Sequence, residues 1–206
     1  MRPRTAIPAA LLVAAVLISG GCLVKMSSDP HHAADGRKLN PFAFVSTSEN
    51  VSVVVGTKIA RHSRSDSVLP LQILVRNRSA DTVHIDAANF AIRDEYGIEH
   101  PPVAPGEIKS IYNRVNFDYE LANTTEFIGL LNSGMGTSGN ILANFYPNNS
   151  NRIVLDHFDM PANSRMVDIL YYEIEDWPRM TGTLTMVVKN LRDKPPVEVP
   201  FTVSVD

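Results

Sequence analysis

The chain has 206 residues, with 19 Lys and Arg against 22 Asp and Glu, 14 Pro, 11 Gly and a single Cys. That length supports one domain with a real hydrophobic core plus a tail, and 44% apolar with 20% charged residues excludes both a disordered polyampholyte and a polytopic membrane protein. One cysteine excludes an internal disulfide framework and any multi-cysteine zinc or iron–sulfur centre, and a mildly acidic balance without a basic stripe argues against nucleic acid as a partner.

The first element in chain order is a leader. Arg2 and Arg4 precede an almost wholly apolar run from Ala6 to Ile18, and Ser19-Gly20-Gly21-Cys22 follows. The run is about 13 residues long, short of the roughly 20 that span a bilayer as a helix and matched to the apolar region of a signal peptide. With the only thiol of the chain directly after Gly20-Gly21, the segment resembles the lipobox of bacterial lipoproteins, Ser19 standing where that box usually carries Leu. The resemblance implies that residues 1–21 are a signal peptide removed before Cys22. It also implies that Cys22 is the lipid-attachment residue, diacylglycerylated on sulfur and acylated on its new amine, and that the protein is held in a bacterial cell envelope without a membrane-spanning helix. Leu23 after the Cys implies, by the same resemblance, the outer membrane. Cleavage there takes away Arg2 and Arg4 and no acid, leaving 17 basic against 22 acidic residues.

Residues 22–49 read as a flexible tether. Ser27-Ser28-Asp29-Pro30-His31-His32 and Asp35-Gly36-Arg37-Lys38 have no apolar periodicity, and Pro30, Gly36 and Pro41 interrupt any helix. Extended, such a segment holds a folded body several tens of Å from a membrane. Phe42 and Phe44 are placed to dock onto that body, and His31-His32 reads as a solvated pair, not a metal site.

From residue 50 to 206 the dominant spacing is two, which sends successive side chains to opposite faces of a sheet. Val51, Val53 and Val55, then Leu71, Ile73 and Val75, then Val83 and Ile85, Phe90 and Ile92, and Leu184, Met186 and Val188 each form one apolar face. Val197, Val199, Phe201, Val203 and Val205 repeat the pattern, and Pro200 inside that run predicts an edge strand or bulge because proline donates nothing to a ladder. Met166–Glu173 adds another strand. Turn residues at Arg78–Asp81, Asp94–Gly97, Pro161–Ser164 and Arg192–Pro196 separate the runs. Seven or eight such strands predict a mostly β protein, an immunoglobulin-like antiparallel β-sandwich with one solvated face per sheet.

Leu71–Ile85 followed by Phe90–His100, with Asn77, Phe90, Ile92, Asp94 and Gly97 at matching places, resembles bacterial immunoglobulin-like lipoprotein domains of unknown function. The likeness implies the fold and brings no activity. Its physical content is that Asn77 caps a turn, Asp94 bonds a turn backbone and Gly97 takes positive φ. Residues from about 105 to 160 break the alternation. Ile108, Ile111, Tyr112, Val115, Tyr119 and Ala122 fit the three-to-four spacing of a helix face. Phe127–Leu131, a glycine-rich stretch over Asn132–Asn140, an Asn148–Asn151 loop and a strand within Arg152–Phe158 complete a partly helical insertion.

Chemistry-bearing motifs are sparse. Gly134-Met135-Gly136-Thr137-Ser138-Gly139 spells G-x-G-x-x-G with Asp156 downstream, yet Pro147 and the Asn-rich loop leave no helix to aim at a pyrophosphate, so a glycine loop is the better reading. His62-Ser63-Arg64-Ser65 has no nucleophile elbow around it. Glu173 and Glu175 beside Trp177 could pair two carboxylates with a stacking aromatic, but a charged strand end whose Trp fills the sandwich edge is the better reading. His84 with Asp86, and His157 with Asp159 and Met160, each lack further ligands. No catalytic, cofactor-binding or metal residue is therefore assigned, and no cofactor is expected. The leading expectation is a non-catalytic interaction or assembly module, bound to a membrane through its lipid and to another envelope protein. The alternatives are an envelope glycan-acting enzyme using Glu173, Glu175 and Trp177, or a small-ligand binder using the 105–160 insertion.

Overall fold

The period-two runs become strands, and hydrogen-bonded register sorts them into two main sheets. A computed structural model describes residues 37–40, 42–63, 67–123, 139–149, 152–175, 177–179, 182–191 and 195–203. Strands β1 (Arg37–Asn40), β2 (Ala43–Thr47), β3 (Val51–Gly56) and β4 (Val68–Asn77) follow one another as antiparallel neighbours. Next come β5 (Val83–Asp86) and β6 (Phe90–Arg93), joined by one 3₁₀ turn whose cap is reciprocal: Asp86 accepts from the Ala88 N–H, and Asn89 accepts from the Asp86 N–H. A tight turn leads to β7 (Glu99–His100), and the insertion opens with helices α1 (Ile108–Ile111) and α2 (Val115–Asn123). It continues through the short strands β8 (Gly139–Asn140), β9 (Ala143–Asn144) and β10 (Ile153–Val154) to β11 (His157–Met160). The chain then runs through β12 (Ser164–Glu173), β13 (Leu184–Val188) and β14 (Val197–Phe201).

One sheet has the order β1-β2-β3-β4-β12-β8 and the other β14-β13-β6-β7, with β5–β11 and β9–β10 as separate two-stranded pairs. All pairings are antiparallel except β12–β8 and β9–β10. Between the two main sheets lies a continuous core in which Val53, Val55, Leu71, Ile73 and Val75 meet Phe90, Ile92, Met186, Val188 and Val199. Phe44 of β2 packs on Phe201 of β14 with ring centres 6.3 Å apart, and the Tyr172 hydroxyl reaches the Phe90 carbonyl. The fold is thus a mostly β sandwich carrying a partly helical insertion. β14 forms an edge of its sheet, so Pro200 falls where a missing N–H is tolerated.

Several expectations need correction. The stretch read as tether contains β1 and β2: Phe44 is buried, Phe42 lies half-buried under the Arg61 guanidinium, and the folded body includes Arg37 onward. β3 and β4 are not solvated on one face. Val45, Val54 and Leu74, in one cross-strand row with Val167, are as buried as the core-facing residues, so these central strands are buried on both sides. The helix predicted over Ile108–Ala122 breaks at Tyr112, which is extended (φ −143°, ψ 120°) because its ring packs on Tyr171 and its hydroxyl is tied to Ser63 and Asp118; Ile111 is consequently exposed. The single strand expected within Arg152–Phe158 divides at Leu155–Asp156 into β10 and β11, and β11 pairs with β5, so His157–Met160 belongs to the strand framework. The leader with Cys22, the His31-His32 pair, the run Thr124–Leu131 and the glycines before Gly139 lie outside the described residues.

Candidate functional site

The site is built on the far edge of β12. Strand β4 pairs with β12 along its length, from Arg165–Arg76 to Glu173–Val68. On the other side β8 covers only Ser164 and Arg165, which leaves the edge groups beyond them to be satisfied one by one. The Arg165 carbonyl accepts from the Ile141 N–H at 2.9 Å, the Val167 carbonyl from Arg152 Nη1 at 3.1 Å, and the Tyr171 carbonyl from the Val103 N–H at 2.7 Å. The Ile169 N–H instead donates to Oδ1 of Asp168 at 2.8 Å. The insertion is what seals this edge.

Asp168 is the chemical centre of the arrangement. Its residue is 2% exposed, and its carboxylate accepts from the Phe145 N–H at 2.6 Å, from the Ile169 N–H and from the Tyr119 hydroxyl of α2. Burial pushes the carboxyl up to about 6, against the three donors and the positive charge of Arg152, which act the other way. Tyr119 is itself held well above its ordinary value by burial and by the neighbouring Asp168 charge, so it stays a donor. Beside this pair at the β12 edge lies a cavity of about 220 Å³ whose lining includes Asp168, Asn116, Glu120, Asn149, Arg152 and Gln72. A second depression of about 300 Å³ lies over Lys109, Tyr112 and Pro147 and shares Asn116 and Asn149. The Asn149 N–H donates to Asn116 Oδ1 at 3.0 Å, a polar bridge where the two hollows meet.

The walls are fixed from below. Ser63 Oγ donates to the Tyr112 hydroxyl and that hydroxyl donates to Asp118 Oδ2, both at 2.8 Å and both buried, which ties α2 to the loop after β3. Tyr146 stacks edge-on against Tyr171 with centres 4.9 Å apart and donates to the Val103 carbonyl, anchoring the 143–149 segment. Arg152 is held by Asn144 Oδ1 as well as by the Val167 carbonyl. Such a hollow can bind a small polar molecule through amides, one guanidinium and one carboxylate without any covalent chemistry.

The residues singled out from the sequence fall mostly elsewhere. Glu173 and Glu175 are exposed, while Trp177 is 2% exposed, so its ring face is committed to the core and offers no sugar platform beside them. Ser63 is buried and His62 exposed, with the His62 carbonyl accepting from Arg114. Met160 is core and Asp94, Gly97 and Asn77 do what the turn chemistry predicts: Asp94 accepts from the Tyr96 and Ile98 N–H groups, Gly97 sits at φ 84°, and Asn77 caps Ser79 while donating to the carbonyls of Asp81, Met160 and Pro161. Asp168 was missed. The signal was present in MVDILYYE, where one carboxylate interrupts an otherwise apolar run, an arrangement that burial makes expensive unless donors are supplied.

No protein-family model matches the chain, and no curated protein matches it. Among solved structures it is similar to the yjhA protein from Bacillus subtilis, at 9% identity and a TM-score of 0.30, over 76% of this chain and 78% of that one. It is also similar to a conserved hypothetical protein from Bacillus anthracis, at 12% identity and a TM-score of 0.31, over 81% of this chain and 94% of that one.

Proposed function

We propose that this chain is a lipid-anchored protein of the bacterial envelope, attached through Cys22, whose sandwich is a non-catalytic binding module for a small polar ligand. The observation that carries the ligand reading is the cavity of about 220 Å³ at the sealed edge of β12, lined by Asp168, by α2 and by Asn149 and Arg152. Its volume is below the ~300–1,000 Å³ of sites for drug-sized molecules, which favours a compact ligand. Glu120 and Arg152 on opposite counts of charge, together with Asn116, Asn149 and Gln72, favour one bearing both ammonium and carboxylate groups, such as a free amino acid or the end of a short peptide. The signal pattern around Cys22 supports the anchor and the envelope location. Among the described residues no helix is long and apolar enough to cross a membrane.

The experiment is an amide NMR titration with panels of amino acids, dipeptides, monosaccharides and polyamines. Zwitterions are expected to shift Ile169, Phe145 and the Gln72 side-chain amide, and Val167→Phe, which fills the hollow, is expected to remove those shifts. No shift from any panel, or shifts that survive Val167→Phe, would reject the ligand reading. The assembly reading keeps one observation in its favour. Leu142, Ile153, Val154 and Leu155 stand exposed together around β9–β10, Leu142 and Ile153 at 65% and 66%, and a protein partner would cover that patch instead.

A further inference from the structure

The β5–β11 ribbon brings together two half-sites that the sequence leaves apart. Antiparallel register sets His84 opposite Asp159 and Asp86 opposite His157, so all four residues share one face. The neighbours on the other face, Val83, Ile85, Phe158 and Met160, are buried and hold the ribbon to the core. His84 Nδ1 lies 2.9 Å from Asp159 Oδ1. A carboxylate only accepts, so Nδ1 carries the hydrogen and Nε2 of the neutral ring presents its lone pair. The His157 ring stands diagonally across, its centre 5.3 Å from that of His84 and tilted by 44°.

We propose that His84 and His157 form a surface chelate for a divalent, imidazole-preferring transition metal ion, with Asp159 orienting His84 from behind. Two imidazoles on one metal at about 2.0–2.1 Å in a tetrahedral array place their ring centres roughly 5 Å apart, the separation this pair already has. The Asp159–His84 bond is the carboxylate–histidine arrangement that fixes tautomer and ring angle at metal sites. Among the described residues no three His, Cys, Asp or Glu side chains converge on one point, so the chelate has two protein nitrogens and water completes the sphere. His84 and Asp159 are 60% and 71% exposed, which leaves the site open to ions and to exchange. None of these residues lines the cavity at β12, so this proposal stands independently of the ligand reading.

The test is a Zn²⁺ titration of the full chain carrying His31→Ala and His32→Ala, which removes the vicinal pair near the amino terminus. It is read by imidazole ¹⁵N shifts and by equilibrium dialysis. The expected result is one equivalent bound in the micromolar range, with His84 Nε2 and one nitrogen of His157 shifting. His84→Ala and His157→Ala should each weaken binding at least tenfold, and Asp159→Asn by about tenfold, while far-UV circular dichroism stays unchanged in all three. No binding below millimolar Zn²⁺, shifts confined to His62 or His100, or affinity unaffected by either histidine replacement would overturn the proposal.

Discussion

At the scale of single residues, Asp168 shows how one buried carboxylate organises its surroundings. It draws a backbone N–H from the 143–149 segment, the hydroxyl of α2's Tyr119 and its own neighbour's N–H to one place, and each donor offsets part of the cost of taking the charge out of water. The remaining cost appears as a carboxyl at about 6 against an ordinary value of 3.8. Between those two values the native state holds more of this proton than the unfolded chain does. Stability from this group is therefore fully present below the unfolded value and is lost as pH rises through about 6. The interval corresponds to about 3 kcal/mol. Urea unfolding at pH 4 and pH 7 should show wild type losing about 2 kcal/mol more stability than Asp168→Asn, since part of the interval is already crossed at pH 4. The comparison with the variant cancels Asp94 and Glu99, whose lowered values act with the opposite sign. Parallel pH dependence in the two proteins would place the carboxylate in water.

At the scale of elements, turn chemistry and edge sealing explain which parts of the fold the sequence declares. The β6–β7 turn is legible because Asp94 does three local jobs. It accepts from the Tyr96 and Ile98 backbone and from His100 Nε2 at 3.0 Å, and although burial raises its carboxyl, these bonds win and lower it. Asp94→Ala is expected to cost about 2 kcal/mol, read from the urea midpoint at neutral pH; a loss under about 0.5 kcal/mol would show the turn to be held by something else. Strand runs, the Pro200 edge and these turns could be read from spacing because their causes lie within a few residues. The break at Tyr112 and the half-strand division at Leu155–Asp156 could not, since they depend on Ser63, Asp118, Tyr171 and β5, between six and about seventy positions away. The cavity could be read only as a region, the insertion, because its lining comes from β4, α2, Asn149, Arg152 and β12, segments that meet through tertiary contacts. The His84–His157 pair was hidden for the same reason: each strand carries half of it.

At the scale of the whole molecule, the sandwich presents two distinct surfaces on one scaffold. The insertion closes the β12 edge around a polar hollow, and the β5–β11 ribbon sets two imidazoles toward solvent. Strands β1 and β2 join the six-stranded sheet, so in the proposed anchored form only residues 22–36 would act as a spacer. Such a spacer of about 15 residues would reach roughly 50 Å if fully extended. The acyl chains, each buried methylene contributing about 0.8 kcal/mol, would hold the protein at the bilayer surface without a spanning helix. The proposed envelope location rests on that attachment, and intact mass spectrometry of the protein extracted from its native membranes tests it. The mature chain should begin at Cys22 and carry a diacylglyceryl group on its sulfur, with Cys22→Ala neither cleaved there nor lipidated; a chain that begins at Met1 and carries no fatty acid would contradict it.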